Sequence, residues 1–73
     1  MRDVKRLEKF YDEMKEIHSL SFGDWRFGQL IYNFISEYGD PFFLEEDEFI
    51  TELKKYANKN SSICHWVVNE KKQ

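Results

Sequence analysis

Apolar residues recur at helical spacing in three stretches of this 73-residue chain, and turn-forming residues stand between them. This pattern constrains the fold more than any other feature. A period near 3.6 gathers such residues on one helix face, and that face must be buried against something. In the first stretch, 3–18, Val4, Leu7, Phe10, Tyr11, Met14 and Ile17 follow one another in steps of three or one. Lys5, Glu8, Lys9, Asp12, Glu13, Lys15 and Glu16 fill the opposite side. The run Ser19–Gly23 is turn chemistry. Asp24 is expected to cap the next helix, its carboxylate accepting from N–H groups two or three residues on. Phe22 and Phe27 flank that cap and are expected to pack together much as a hydrophobic staple does.

The second stretch, 25–38, carries Leu30, Ile31, Phe34, Ile35 and Tyr38 on one face, with Phe27 extending it. It is the most apolar segment and is expected at the centre of the fold. Gly28 lowers its helix propensity by about 1 kcal/mol against alanine, a cost best explained if another element approaches closely there. Gly39 suits the residue just past a helix end, and Asp40-Pro41 forbids continuation. Phe42, Phe43 and Leu44 read as a short extended stretch. The third helix, 45–58, opens on Glu45, Glu46, Asp47 and Glu48 and carries Lys54, Lys55 and Lys59 toward its end, the polarity that a helix dipole favours. Phe49, Ile50, Leu53, Tyr56 and Ala57 form its apolar stripe.

The expected fold is therefore all-α. Residues 1–60 form a compact three-helix domain packed around Leu7, Tyr11, Met14, Leu30, Ile31, Phe34, Phe49, Ile50 and Leu53. Residues 61–73 form a C-terminal tail. Its segment Ile63–Val68 has β propensity, yet Ile63, Trp66 and Val67 also fit a helix. Six residues do not fix the period.

A chain this short buries little, and its single cysteine, Cys64, leaves no internal disulfide to reinforce it. The aromatic share of 18% (seven Phe, four Tyr, two Trp) is a way to gain core area, since each such ring removes about 150–250 Å² from water. No run of about 18 apolar residues is present, so no membrane-spanning helix is expected. No basic-then-apolar leader is visible, and the expected location is the cytoplasm.

Two stretches carry a resemblance. Asp24-Trp25-Arg26-Phe27-Gly28-Gln29-Leu30-Ile31 fits the pattern D-x-R-x-G-Q-L-[IL]. Asp40-Pro41-Phe42-Phe43-Leu44-Glu45-Glu46-Asp47-Glu48-Phe49 fits D-x-F-[YF]-x-x-[DE]-[DE]-E-[LF]. In that order they resemble a family of small uncharacterised proteins from bacteria, especially Firmicutes, and their phages. The resemblance spans roughly residues 3–58. It implies a compact α-helical domain and no established activity, so no functional residue is carried over from it.

Several chemistries find no support in the residues. Cys64 and His65 are adjacent, His18 is remote, and no paired zinc-ligand spacing exists, so no metal or other cofactor is expected. No glycine-rich phosphate cradle is present, and a 9.0 kDa helical domain leaves little room for a catalytic pocket. An enzyme is not expected. Direct nucleic-acid binding wants clustered cations. Here 14 acids outnumber 11 bases, and Arg2, Lys5, Arg6 and Lys9 on the first helix make the one basic patch.

The expected function is a non-catalytic protein–protein interaction module, a small regulator or inhibitor of a larger complex. A nucleic-acid-associated protein using the basic first helix is the alternative. Trp25, Arg26, Phe42, Phe43 and Trp66 are the candidate contact residues, since Trp, Tyr and Arg dominate interface energetics. Core packing competes with contact as the role of Trp25. Trp66 is read as a contact residue because the tail has no evident core to join. The tail also offers an element for pairing two copies of the chain. Glu45, Glu46, Asp47, Glu48 and Glu52 form a candidate acidic surface, either as acids meeting a helix dipole or as a phosphate mimic for a basic partner groove.

Overall fold

The computed structural model describes residues 3–63 and 65–68. Cys64 and the end of the tail, 69–73, lie outside the described residues, as does Arg2 of the basic patch. Three helices follow in order: α1 (Arg6–Ser21), α2 (Phe27–Tyr38) and α3 (Glu46–Asn60). No strand occurs among the described residues, and the domain is all-α, as the periodicity requires.

Local chemistry sets the helix starts. The Asp3 carboxylate accepts from the Lys5 N–H at 2.9 Å, and the Asp3 carbonyl from the Arg6 N–H at 3.2 Å. This turn delays α1 by three residues relative to expectation. α1 also runs past its expected end. Ser19 and Ser21 stay helical, with the Ser19 hydroxyl donating back to the Glu16 carbonyl and Ser21 buried. Asp24 does not cap α2. Arg26 occupies that position, and its N–H donates to Gln29 Oε1 at 2.8 Å. The first turn of α3 uses the same reach-back, Glu45 N–H to Glu48 Oε1 at 3.0 Å.

α1 and α3 lie side by side in parallel. Arg6 Nε donates to Glu46 Oε1 at 2.9 Å, Lys54 Nζ to Glu13 Oε2 at 3.3 Å, and the Ser61 hydroxyl to the Ser21 carbonyl at 3.0 Å. The sequence offset is 40 or 41 residues at all three places, so the two helices keep one register from start to end. α2 lies across α3. Phe34 stands between Phe49 (ring centroids 5.1 Å apart) and Tyr56 (5.7 Å), while Glu37, near the end of α2, pairs with Lys59 at the end of α3.

The core comprises Met14, Ile17, Phe22, Leu30, Phe34, Ile50, Leu53, Tyr56 and Ala57, with Phe10, Trp25, Ile31, Phe49 and Trp66 packed against it. Tyr11 is not part of it, being 62% exposed. At 100° per residue, Phe10, Met14, Ile17 and Ser21 define the buried line of α1, and Tyr11 falls at its margin. The expected packing of Phe22 on Phe27 is also absent. Phe22 is buried against Trp25 (4.7 Å), and Phe27 is 57% exposed near His18. α2 supplies Leu30 and Phe34 to the centre but leaves much of its apolar face outside, so the central packing is that of α1 on α3. The close approach expected at Gly28 does not occur: nothing lies within 4 Å of where its Cβ would be. Gly23 is the crowded glycine, with the Ser19 carbonyl oxygen 2.9 Å from its would-be Cβ.

Candidate interaction surface

The connection between α2 and α3 presents two rings to solvent. Gly39 leaves the helix at φ +107, a conformation that disfavours side chains, while its N–H still donates to the Ile35 carbonyl at 2.8 Å. The Asp40 carboxylate then accepts from the Phe42 N–H at 2.9 Å, and the Pro41 carbonyl from the Leu44 N–H at 3.0 Å. These bonds form a turn whose outer residues are Phe42, 76% exposed, and Phe43, 88% exposed. Their rings meet edge to face with centroids 4.8 Å apart. Leu44 is half-buried, so the aromatic pair projects from an anchored base.

The other candidate contact residues sit elsewhere. Trp25 is half-buried against Phe22, and its carbonyl accepts from His18 Nε2–H at 2.7 Å, which ties the α1–α2 connection to α1. Arg26 is exposed beside it. Trp66 does have a core to join. Its indole N–H donates to Ser21 Oγ at 2.7 Å. Its backbone N–H donates to Asn58 Oδ1 at 2.7 Å, and Asn58 Nδ2 donates to its carbonyl at 2.8 Å. The Lys54 ammonium lies 5.9 Å from the ring. Residues 65–68 adopt neither helix nor strand, and Trp66 is what this latch holds. The aromatic candidates therefore do not converge. Trp25 and Trp66 gather near the ends of α1 and α3, whereas Phe42 and Phe43 lie on the chain entering the start of α3.

The acidic run is engaged partly within α3 and partly by α1. Glu46 pairs with Arg6, Glu48 accepts from the Glu45 N–H, Asp47 Oδ1 accepts from the Glu48 N–H at 2.8 Å, and Glu52 pairs with Lys55 at 3.4 Å. Arg6, one cation of the basic patch, is drawn into that set and also donates to the Asp3 carbonyl. Between α1 and the start of α3 a groove of about 410 Å³ is lined by Arg6, Lys9, Phe10, Glu13, Glu45, Glu46 and Asp47, with charges of both signs. No group of three metal-ligating side chains lies together among the described residues, and none of their helices is long and apolar enough to cross a membrane.

One feature escaped the sequence reading: the outward apolar flank of α2, where Phe27, Tyr32, Ile35 and Tyr38 are 57%, 72%, 36% and 40% exposed. Its signal was the breadth of the apolar arc from Phe27 to Tyr38, wider than a single crossing neighbour covers. Comparison with protein-family models, with curated proteins and with solved structures finds no match.

Proposed function

We propose that this protein is a non-catalytic interaction module that acts on a larger protein or complex by occupying an apolar groove on it. The observation that carries this reading is the Phe42–Phe43 pair. Two adjacent rings, 76% and 88% exposed, are held on a hydrogen-bonded turn and contribute nothing to the core. Exposing two large rings works against solubility, and preorganised aromatic anchors are what dominate protein–protein binding. Regulation or inhibition then follows from occupancy alone, and no chemical step is required of the module. Arg6 favours this over nucleic-acid binding through α1, because its guanidinium is already paired with Glu46.

The test compares the full chain with its Phe42→Ser/Phe43→Ser variant. Both rings are exposed, so the variant is expected to keep its circular dichroism spectrum and melt close to the parent. Affinity capture from cell extract, followed by binding to the purified captured protein, is expected to show affinity reduced by roughly 30-fold or more in the variant. That affinity should change little between about 50 and 200 mM salt, unlike a phosphate contact. Equal capture by parent and variant would remove the proposal.

A further inference from the structure

Three features of α2 have no explanation within one copy of the chain. The first is its apolar flank. At 100° per residue, Phe27, Ile31, Ile35 and Tyr38 fall within about 80° of one another, beside the buried line of Leu30 and Phe34. Phe27, Ile35 and Tyr38 remain substantially exposed. The second is Gly28. It lies on the same flank, it weakens the helix, and it has open space where a Cβ would be. The third is charge. From Trp25 to Leu44 the only charged residues are Arg26, Glu37 and Asp40. Glu37 is paired with Lys59 within the chain, which leaves Arg26 as a cation at the helix start and Asp40 as an anion just past its end, the reverse of what the helix dipole favours and of what α3 does.

We propose that α2 pairs with α2 of a second copy of the chain, antiparallel about a twofold axis near residue 33. A second copy is the occupant because one register satisfies all three features. Where facing residue numbers sum to about 66, Ile31 meets the partner's Ile35, Phe27 and Gly28 meet the partner's Tyr38, and Arg26 meets the partner's Asp40. Gly28 then gives the opposing ring room to approach the helix backbone. Arg26 makes no ion pair among the described residues, and Glu37 is already engaged by Lys59, which leaves Asp40 as the acid for Arg26. Antiparallel helices also oppose their dipoles. The exposed parts of Phe27, Ile35 and Tyr38 amount to on the order of 270 Å² per copy, taking about 200 Å² for each side chain, and Tyr32 at the edge of the flank adds part of its own surface. Even with the polar rim this falls below the roughly 1,200–2,000 Å² of standard specific interfaces, so the dimer is a weak, transient one. The inference goes beyond the Phe42–Phe43 reading. Those rings lie outside the register and stay intact in every variant below, so either reading stands or falls alone.

Analytical ultracentrifugation of the full chain from about 1 to 500 µM tests it. The wild type is expected to be a reversible dimer with a dissociation constant in the micromolar range. Ile35→Glu, at a position that lets the new carboxylate reach water, should be a folded monomer throughout. Arg26→Asp and Asp40→Arg should each weaken association roughly tenfold, and the double exchange should recover most of that loss. Gly28→Ala should raise the melting temperature of the dilute monomer yet weaken the dimer, two effects of opposite sign that a purely helical role would not produce. A wild-type monomer across the whole range overturns the proposal, as does a double exchange no better than its single changes. So does a dimer that survives Ile35→Glu and is lost with Ile63→Ser/Val67→Ser, since that contact would belong to the tail.

Discussion

At the scale of single residues, Asn58 and Trp66 decide the fate of the tail. The Asn58 amide donates to and accepts from the same backbone unit, that of Trp66, and the Trp66 indole closes on Ser21, whose side chain is buried. Removing one partner leaves the other's polar groups partly buried and unmet, which costs more than a hydrogen bond contributes on average. Asn58→Ala is expected to destabilise by about 1–2 kcal/mol. Trp66→Ala, which also loses the ring's packing, should cost about 2–3 kcal/mol. For a domain of this size each kcal/mol shifts the melting temperature by roughly 4–8 °C, so both effects are readable by thermal unfolding. Because the two residues share one latch, the double variant should fall well short of the additive loss. An Asn58→Ala protein that melts with the parent would mean that the latch does not hold the tail. This pairing was not legible beforehand. Asn58 reads as the end of the third helix, and Ser21 is 45 positions from Trp66, so neither periodicity nor propensity links them.

At the scale of elements, what could be read depended on whether its cause was local. Gly39 and Pro41 end α2 through backbone geometry alone, and the structure ends it there. The acid-to-base polarity of α3 is likewise local. Phe42 and Phe43 were readable as candidate exposed rings because they sit beside that break, and the structure does leave both exposed. The margin of α1 was not readable, because Tyr11 and Phe10 fit the stripe equally until the position of α3 selects one. The glycines show the same division and give three distinct outcomes on substitution. Gly28→Ala meets no atom and should stabilise the monomer by up to about 1 kcal/mol. Gly39→Ala must place a side chain at φ +107 and should cost about 1–2 kcal/mol. Gly23→Ala would press a Cβ to 2.9 Å from the Ser19 carbonyl, so the end of α1 must shift, and stability should fall. Denaturant midpoints for the three variants, measured where the chain is monomeric, check the order. A stabilising Gly23→Ala would contradict the packing of the α1–α2 connection.

At the scale of the whole molecule, aromatic rings join all three helices, and Tyr56 lies at the junction. Its ring neighbours Phe22 from the α1–α2 connection and Phe34 from α2, and it is 8% exposed. Burial pushes its phenol above the ordinary tyrosine value, and the Glu37 carboxylate pushes in the same direction. The sign of the linkage follows. A raised value means the folded state keeps the proton after the unfolded chain has released it, so stability is full below the unfolded value of about 10 and falls as pH rises through the folded one. Tyr56→Phe removes that titration while keeping the ring. Urea midpoints of parent and variant should run parallel up to about pH 9. They should then diverge above about pH 10, the parent losing stability faster. Glu37→Gln should reduce the divergence in part, because it removes the second cause and leaves burial, the larger one, in place. Parallel curves through pH 11 would show that the phenol ionises without opening the core, and that the junction of the three helices does not depend on a neutral Tyr56.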